Sequence, residues 1–352
     1  MRYPAFIKMN DCIGIPAPSF GAAIEPYSSA LENALDAFRD LGFRTLVGAN
    51  CYKADGIGRS TNAKDCAAEL MKMYLGSEAD ALISCGGGEL MCEILPYMDF
   101  EAIAKARPKW FLGYSDNTNF TFPSTVLADT AAVYGPCAPT FGMSPMHPAL
   151  FDAVSLLKGE KKAFSGYGSF ERESLKGEEN PFAPYNTTEK AAYKPFAPAE
   201  EGGGAALRPA EKINLKGRLL GGCIDCLSLF LGTPWDKVAE FNKKYENDGV
   251  LWFLESCDLG PLQLRRSIWQ MRQAGWFDKA TGFIFGRPMH LGEEAFGLSM
   301  DEAVLDVLAP LGVPVLLDAD LGHLPPQVPI VSGAKAKAEA TAESWTIEYD
   351  FS

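Results

Sequence analysis

Residues 81–88 read ALISCGGG and residues 110–117 read WFLGYSDN, and these two stretches decide the fold. Each begins as a short apolar run typical of a buried strand and ends in small or polar residues typical of a turn. Other strand signals lie at 12–15, 43–47 and 131–134, with helical periodicity at 28–41 and 62–75. This alternation predicts a mostly parallel sheet covered by helices on both faces.

A second α/β pattern begins at Gly217. Strands are predicted at 250–254, 281–285 and 313–317, helices at 261–274 and 301–308, and a terminal hairpin at 335–341 and 345–349. Single cores seldom exceed about 250–300 residues, so a chain of 352 residues indicates two domains. We therefore predict an N-terminal α/β domain over 1–157, a connecting segment over 158–216 and a C-terminal α/β domain over 217–352.

The segment 158–216 interrupts the strand–helix rhythm with prolines, charged residues and the glutamate- and glycine-rich stretch 200–204. It is interpreted either as a solvated connection or as an insertion that folds over a substrate as a lid. Its aromatic residues favour at least partial packing. Both interpretations remain open.

The formal net charge of -13 disfavours nucleic acid and anionic membrane surfaces as partners, because phosphate contacts need clustered Lys and Arg. The N-terminus is too polar for a signal peptide, and no apolar run approaches the ~18–20 residues of a membrane span. The 9 cysteines are scattered, which indicates reduced thiols and a cytoplasmic protein. A small or peptidic substrate fits this composition.

Ser115 follows a predicted strand at a sharp turn into a helix. A hydroxyl there projects from the sheet, and the helix N-terminus behind it offers backbone N–H groups to an oxyanion. The motif is only half of the G-x-S-x-G elbow, because Asn117 occupies the second glycine position. The competing interpretation is that Ser115 caps the helix.

The triplet Gly86-Gly87-Gly88 lets a ligand approach the backbone and is able to supply a second oxyanion N–H beside that of Asp116. A plain tight turn is the simpler interpretation. Dinucleotide binding is disfavoured, because Met91 stands where G-x-G-x-x-G requires its third glycine.

A serine hydrolase of the usual kind needs a histidine base, and the chain has only 3 histidines. His147 is predicted to cap a helix, and His290 lies in a polar loop. His323 follows a buried strand in a loop bounded by Gly and Pro, which makes it the best candidate. Glu255 ends an apolar strand and would be costly to bury unless paired, either with an imidazole or with Arg265 or Arg266 on the next helix.

Two further groups of residues offer alternative chemistry. Cys223 and Cys226 have the spacing of a redox pair with a lowered pKa, although buried thiols on an apolar helix are commonplace. Asp318, Asp320 and His323 are conceivable metal ligands, but their spacing is not diagnostic. No metal and no cofactor are therefore predicted.

Together these segments resemble the LD-carboxypeptidase family of serine peptidases, which includes the microcin C immunity peptidases. The resemblance covers most of the chain and rests on the order and spacing of short motifs, namely Gly14-Ile15-Pro16-Ala17-Pro18-Ser19, Gly87-Gly88, Leu95-Pro96-Tyr97-Met98-Asp99, Gly113-Tyr114-Ser115-Asp116, Gly217-Arg218-Leu219-Leu220-Gly221-Gly222, Leu231-Gly232-Thr233, Leu254-Glu255, Gly275-Trp276-Phe277, Gly286-Arg287 and Gly322-His323.

The resemblance implies a Ser–Glu–His triad of Ser115, Glu255 and His323, closed across two domains. It implies an oxyanion hole of backbone amides near Gly87 and Gly88 and at Asp116. It also implies a flavodoxin-like or amidotransferase-like N-terminal domain, a C-terminal α/β domain, a cytoplasmic homodimer and no metal. One branch of the family removes D-alanine from murein tetrapeptides, and the immunity branch cleaves an amide in a peptide–nucleotide antibiotic.

The chain departs from the family pattern around the expected pocket. Cys223 stands in place of an Asn, Glu89 in place of a Tyr, and Gly86 in place of a residue that is often Arg. We therefore assign Glu89 and Cys223 to substrate binding, with a small peptide or a peptide–nucleotide as substrate. The long 158–216 segment resembles the immunity branch. A non-catalytic peptide- or nucleotide-binding protein and a thiol redox protein are the rival interpretations.

Overall fold

The computed structural model describes residues 1–199 and 206–352, so the stretch 200–204 singled out above lies outside the described residues. The strands, numbered in chain order, are β1 Cys12–Ile15, β2 Arg44–Val47, β3 Ala81–Ile83, β4 Phe111–Leu112, β5 Ala132–Tyr134, β6 Ala163–Ser165, β7 Ser169–Phe170, β8 Glu189–Lys190, β9 Lys194–Pro198, β10 Leu207–Pro209, β11 Lys212–Cys223, β12 Val250–Glu255, β13 Ala280–Gly286, β14 Glu294–Ala295, β15 Leu298–Ser299, β16 Val315–Ala319, β17 Ile330–Ser332, β18 Lys335–Thr341 and β19 Trp345–Asp350.

The α-helices are α1 Tyr27–Asp40, α2 Ala63–Leu75, α3 Phe100–Lys105, α4 Thr118–Val126, α5 Pro148–Leu157, α6 Ile224–Phe230, α7 Val238–Lys244, α8 Pro261–Gln273 and α9 Met300–Leu308. Short 3-10 helices span Ala49–Tyr52, Met91–Tyr97, Ser115–Asn117, Ala138–Gly142 and Ala309–Leu311. In the part of the chain that the structure describes, no helix has both the length and the apolar character needed to cross a membrane.

The chain divides into two compact units. The first consists of Met1–Lys161, Glu171–Asn186 and Pro329–Val331, and the second of Lys162–Phe170, Thr187–Val328 and Ser332–Ser352. The segment 158–216 thus contributes residues to both units. Its function as a lid stays a prediction.

The first unit is built on a sheet whose strand order, within the described residues, is β17-β5-β4-β3-β1-β2. The neighbouring pairs from β2 to β5 are all parallel, which confirms the predicted parallel sheet. The sequence predicts a strand over 110–114, but β4 spans only Phe111–Leu112. The reason is that the carbonyl of Tyr114 accepts a hydrogen bond from the Asn117 side chain at 2.9 Å, which draws the chain into a turn.

The second unit is built on a larger sheet, ordered β10-β9-β16-β13-β12-β11-β18-β19-β6 in the described chain. Its central strands β16, β13, β12 and β11 are parallel, and the outer strands run antiparallel to their neighbours. The predicted terminal hairpin is confirmed as β18 and β19. Strand β16 begins at Val315 rather than at 313, because Pro314 has no N–H to donate to the ladder.

Both units place predicted site residues at carboxyl ends of parallel strands, where open α/β sheets build their sites. Ser115 follows β4 in the first unit. Glu255 is the last residue of β12 in the second unit, and His323 lies in the loop after β16. The predicted α/β class is therefore confirmed for both halves of the chain.

Candidate active site

Ser115 adopts a backbone conformation that serine rarely takes. Its φ is 62°, a left-handed value that costs a non-glycine residue roughly 1–3 kcal/mol. The N–H of Ser115 donates a hydrogen bond to the hydroxyl oxygen of Tyr134 at 3.0 Å. The N-cap residue of α4 is Asn117, not Ser115, so the interpretation of Ser115 as a helix cap is wrong.

The glycine loop after β3 lies against this turn. A Cβ added to Gly87 would be 3.2 Å from the Cβ of Ser115 and 3.3 Å from its Oγ. The side chain of Asn117 fixes the approach, because its Nδ2 donates at 2.9 Å both to the carbonyl of Gly86 and to that of Tyr114. The second glycine position of the elbow motif thus carries a side chain that joins the two loops.

Gly88 is a position that requires glycine. Its φ is 150°, and a Cβ there would collide with the Oγ of Ser19. That hydroxyl donates to the Asp116 carboxylate at 2.5 Å, and the same carboxylate accepts the Met91 N–H at 2.8 Å. These hydrogen bonds hold the predicted oxyanion-hole residues of the first unit in one rigid cluster.

Glu255 and His323 are brought together in the second unit. The Nδ1 atom of His323 lies 2.8 Å from Oε2 of Glu255, and the side chains are 13% and 0% exposed. Arg265, one of the alternative partners, instead pairs with Asp306 at 2.7 Å. A fully buried carboxylate is thus paired with an imidazole that keeps partial access to solvent.

Gly322 permits this approach. Its φ is 96°, and a Cβ there would lie 2.7 Å from Oε2 of Glu255, inside normal contact distance. The glycine before the histidine is therefore required both by the turn and by the space that the carboxylate occupies.

The imidazole of His323 is strongly shifted toward its charged form. Burial lowers its pKa, but the Glu255 carboxylate and hydrogen bonds with Cys257 and Glu255 outweigh burial and hold the pKa well above the usual value. The environment thus stabilises the imidazolium ion, which a general base becomes during catalysis.

The remaining histidines make contacts elsewhere in the structure. His147 is the N-cap of α5, as predicted, and its Nδ1 accepts the N–H of Ala149 at 3.2 Å. Burial lowers the pKa of His147. His290 forms a surface ion pair with Glu293.

Cys223 and Cys226 do not have the electrostatics of a reactive redox pair. The hydrogen bond with Cys226, burial and the nearby Glu255 carboxylate all raise the pKa of Cys223 well above its usual value. The predicted lowering of the pKa is therefore wrong. The thiolate-stabilising effect of a helix start is outweighed by burial and by adjacent negative charge.

The residues weighed as alternative metal ligands do not form one cluster. Asp318 pairs with Lys194 at 2.9 Å, and Asp320 pairs with the buried Arg287. Across residues 1–199 and 206–352, no group of three or more His, Cys, Asp or Glu side chains is arranged to hold a metal ion.

The two residues assigned to substrate binding lie in different surroundings. Glu89 is exposed on the loop that follows Gly88. Cys223 is 1% exposed at the end of β11, where it is the register partner of Glu255. Its Sγ atom lies 3.3 Å from Oδ2 of Asp225.

Three residues near these groups were missed in the sequence. They are Tyr134, which accepts the Ser115 N–H, Cys257, which hydrogen bonds with His323, and Asp225, which contacts the loop after Glu255. Tyr134 ends a predicted strand and Cys257 follows Glu255 by two positions, so strand-end placement was the available signal for both.

Comparison with known families gives a match in each half of the chain. The model of the LD-carboxypeptidase N-terminal domain matches residues 13–135, and the model of the C-terminal domain matches residues 216–338. A probable murein peptide carboxypeptidase of Bacillus subtilis is 25% identical over 352 residues, which cover 98% of this chain and 94% of that protein. The microcin C7 self-immunity protein MccF of Escherichia coli is 24% identical over 338 residues, 94% of this chain and 90% of that protein.

Solved structures give the same fold. An MccF-like protein from Bacillus anthracis superposes with a TM-score of 0.81 at 19% identity, covering 99% of this chain and 100% of that one. MccF in complex with aspartyl sulfamoyl adenosine superposes with a TM-score of 0.78 at 19% identity, covering 99% and 98% of the two chains.

Proposed function

Since the chain belongs to the LD-carboxypeptidase family of serine peptidases, we propose that it hydrolyses an amide bond through a triad of Ser115, Glu255 and His323. The observation that carries this proposal is the buried Glu255–His323 pair, with 2.8 Å between Oε2 and Nδ1. A buried carboxylate engaged with Nδ1 selects the tautomer whose Nε2 accepts a proton. The strained backbone of Ser115 supports its assignment as the nucleophile.

In the proposed reaction, Nε2 of His323 takes the proton of the Ser115 hydroxyl as Oγ attacks the scissile carbonyl carbon. Backbone N–H groups around Gly87, Gly88 and Asp116 stabilise the oxyanion, and one such donor is worth about 2.7–4 kcal/mol of barrier. The imidazolium then protonates the departing amine, the C–N bond breaks, and an ester to Ser115 remains. Water, deprotonated by the same imidazole, hydrolyses this ester and restores the hydroxyl.

The preferred substrate is a murein-type peptide from which a terminal D-amino acid is released. The Bacillus subtilis relative, a probable murein peptide carboxypeptidase, aligns with nearly the whole chain and supports this choice. The net charge of -13 agrees with a small substrate rather than a polyanion. The many cysteine thiols fit a reducing, cytoplasmic setting. The proposal also includes a homodimer.

A second candidate function is cleavage of an aminoacyl-nucleotide amide, the class of compound represented by the aspartyl sulfamoyl adenosine bound to MccF. The observation that favours it is the long 158–216 segment, part of which packs on the first unit. There the Ser144 N–H donates to the Phe182 carbonyl at 2.8 Å, and the rings of His147 and Tyr185 lie 5.3 Å apart.

The test compares two substrates and two serine variants. Purified protein is assayed for D-alanine release from murein tetrapeptide and for cleavage of aspartyl sulfamoyl adenosine, each with wild type, Ser115→Ala and Ser77→Ala. We expect Ser115→Ala to lose activity by about 10⁶-fold while Ser77→Ala, on an exposed turn, keeps it. Full activity of Ser115→Ala would exclude the triad.

A serine-directed fluorophosphonate probe separates the enzyme from a binding protein with the same fold. We expect the probe to label wild type at Ser115 and to leave Ser115→Ala unlabelled. Activity that survives alanine at both Cys223 and Cys226 would exclude the thiol redox interpretation.

A further inference from the structure

Asp225 lies in the first turn of α6, directly after β11, and reaches across to the loop that follows Glu255. Its Oδ1 accepts the N–H of Asp258 at 2.9 Å, and its Oδ2 accepts the N–H of Cys257 at 3.1 Å. One carboxylate therefore binds two successive backbone amides of a loop more than thirty residues away in sequence.

The same carboxylate also contacts the end of β11. Cys223 lies in register with Glu255 across the β11–β12 pair, and its thiol donates to Oδ2 of Asp225 at 3.3 Å. Asp225 thus joins the two neighbouring strand ends, one of which carries Glu255.

The loop that Asp225 holds is itself in contact with the imidazole. The side chain of Cys257 hydrogen bonds with His323, which also pairs with Glu255 at 2.8 Å. The position of Cys257 relative to His323 depends on the backbone of residues 256–258. Both backbone amides that donate hydrogen bonds to Asp225 lie within that stretch.

We propose that Asp225 is a positioning residue of the hydrolase, which fixes the loop 256–258 and through it the orientation of the His323 imidazole against Glu255. The inference rests on the proposed function. Charge-assisted hydrogen bonds from two adjacent amides define both the direction and the depth of the loop, which a single neutral bond does not. Displacement of a reacting group by about 1 Å lowers a rate by about 100-fold.

The test uses full-length Asp225→Ala and Asp225→Asn, with Asp306→Asn as the control. Asp306 is a carboxylate of the same unit that pairs with Arg265 on the surface. We expect Asp225→Ala to lower kcat about 10–100-fold with KM within about threefold of wild type. We expect Asp225→Asn, which keeps one acceptor oxygen, to fall between Asp225→Ala and wild type, and Asp306→Asn to match wild type.

The pH profile is the readout that a merely structural residue would not move. We expect the acidic limb of kcat/KM to shift to lower pH in Asp225→Ala, because His323 loses part of the environment that raises its pKa. Wild-type kcat and an unshifted limb in both Asp225 variants would overturn the inference. If Asp225→Ala does not fold, Asp225→Asn takes its place in the kinetic comparison. The pKa of His323 is then compared by NMR titration in the Ser115→Ala background, with and without Asp225→Asn.

The test of the positioning role of Asp225 and the test of the triad have distinguishable results. Loss of activity in Ser115→Ala together with unchanged kinetics in the Asp225 variants would remove only the positioning role. Full activity in Ser115→Ala would instead remove the triad itself.

Discussion

The buried pair of Glu255 and His323 predicts an unusual order of stabilities for a single variant and a double variant. The Glu255 side chain is 0% exposed and that of His323 13% exposed, with 2.8 Å between the paired atoms. His323→Ala removes the imidazole and leaves the carboxylate buried. Adding Glu255→Gln to that variant removes the charge as well, so the second mutation is expected to restore stability.

The expected loss of stability of each variant follows from the group that remains buried in it. Removing one partner of a buried ion pair costs about 3–5 kcal/mol, because the remaining charge stays buried without the opposite charge of that partner. A buried neutral amide that lacks one hydrogen bond costs about 1–3 kcal/mol. The double variant is therefore expected to be more stable than His323→Ala by about 2 kcal/mol, or roughly 4–8 °C in melting temperature for a unit of this size.

The assay is thermal unfolding followed by circular dichroism at pH 8, repeated at pH 5. His290→Ala is the matched control, because His290 forms its ion pair on the surface, and we expect no change in its melting temperature. A carboxylate that burial disfavours is neutralised as the pH falls, so the stability advantage of the double variant over His323→Ala is present at pH 8 and lessens toward pH 5.

One result would refute the reasoning. If the double variant melts at or below the temperature of His323→Ala at pH 8, the buried charge of Glu255 is not what makes that variant unstable. The loss would then come from the cavity left by the imidazole, which both variants share.

Four further predictions concern catalysis and the strained turn. Because the pKa of His323 is raised, we expect kcat/KM to rise with pH along a limb above about 6.5, and Glu255→Gln to move this limb to lower pH in a pH–rate profile, since the effect of burial then prevails. Gly87→Ala, which puts a Cβ 3.2 Å from that of Ser115, is expected to lower kcat about 100-fold with an unchanged circular dichroism spectrum. Tyr134→Phe removes the acceptor of the Ser115 N–H and is expected to lower the free energy of unfolding by about 0.5–1.5 kcal/mol in urea titrations. Ser115→Gly relieves the positive φ and is expected to raise the free energy of unfolding by about 1 kcal/mol while turnover is lost.

The sequence predicted the parallel strands well, because burial on both faces requires continuous apolar runs whose ends are marked by glycine or a polar residue. Ala81–Ile83 and Val250–Glu255 lie where such runs predict them. The predicted strands differ from the observed ones at their ends. There, individual hydrogen bonds of the turn, such as that from Asn117 to Tyr114, decide where the ladder stops, and local pattern does not encode them.

Histidine scarcity and strand-end placement selected His323 from the sequence, and the structure places Glu255 beside it. Local pattern does not predict the hydrogen bonds of Asp225 and Tyr134, because each bond joins segments that are distant in sequence, although strand-end placement was a signal for Tyr134 itself. The pKa of Cys223 was mispredicted for the same reason. Spacing suggested a helix-start thiol, whereas the carboxylate of Glu255 reaches it only through strand pairing.

The backbone strain at Ser115 argues for function independently of motif matching. Among the described residues, the others with positive φ that are not glycine are Asn10, Asp129, Phe296 and Asp318. Most of these are Asn or Asp, which tolerate the left-handed region, whereas serine does so at a cost. Helix α4 is capped at Asn117, so the helix does not require a strained serine. The conformation persists because Tyr134 and Asn117 hold both sides of the turn, and such over-determined strain is typical of residues whose side chain must point in one direction.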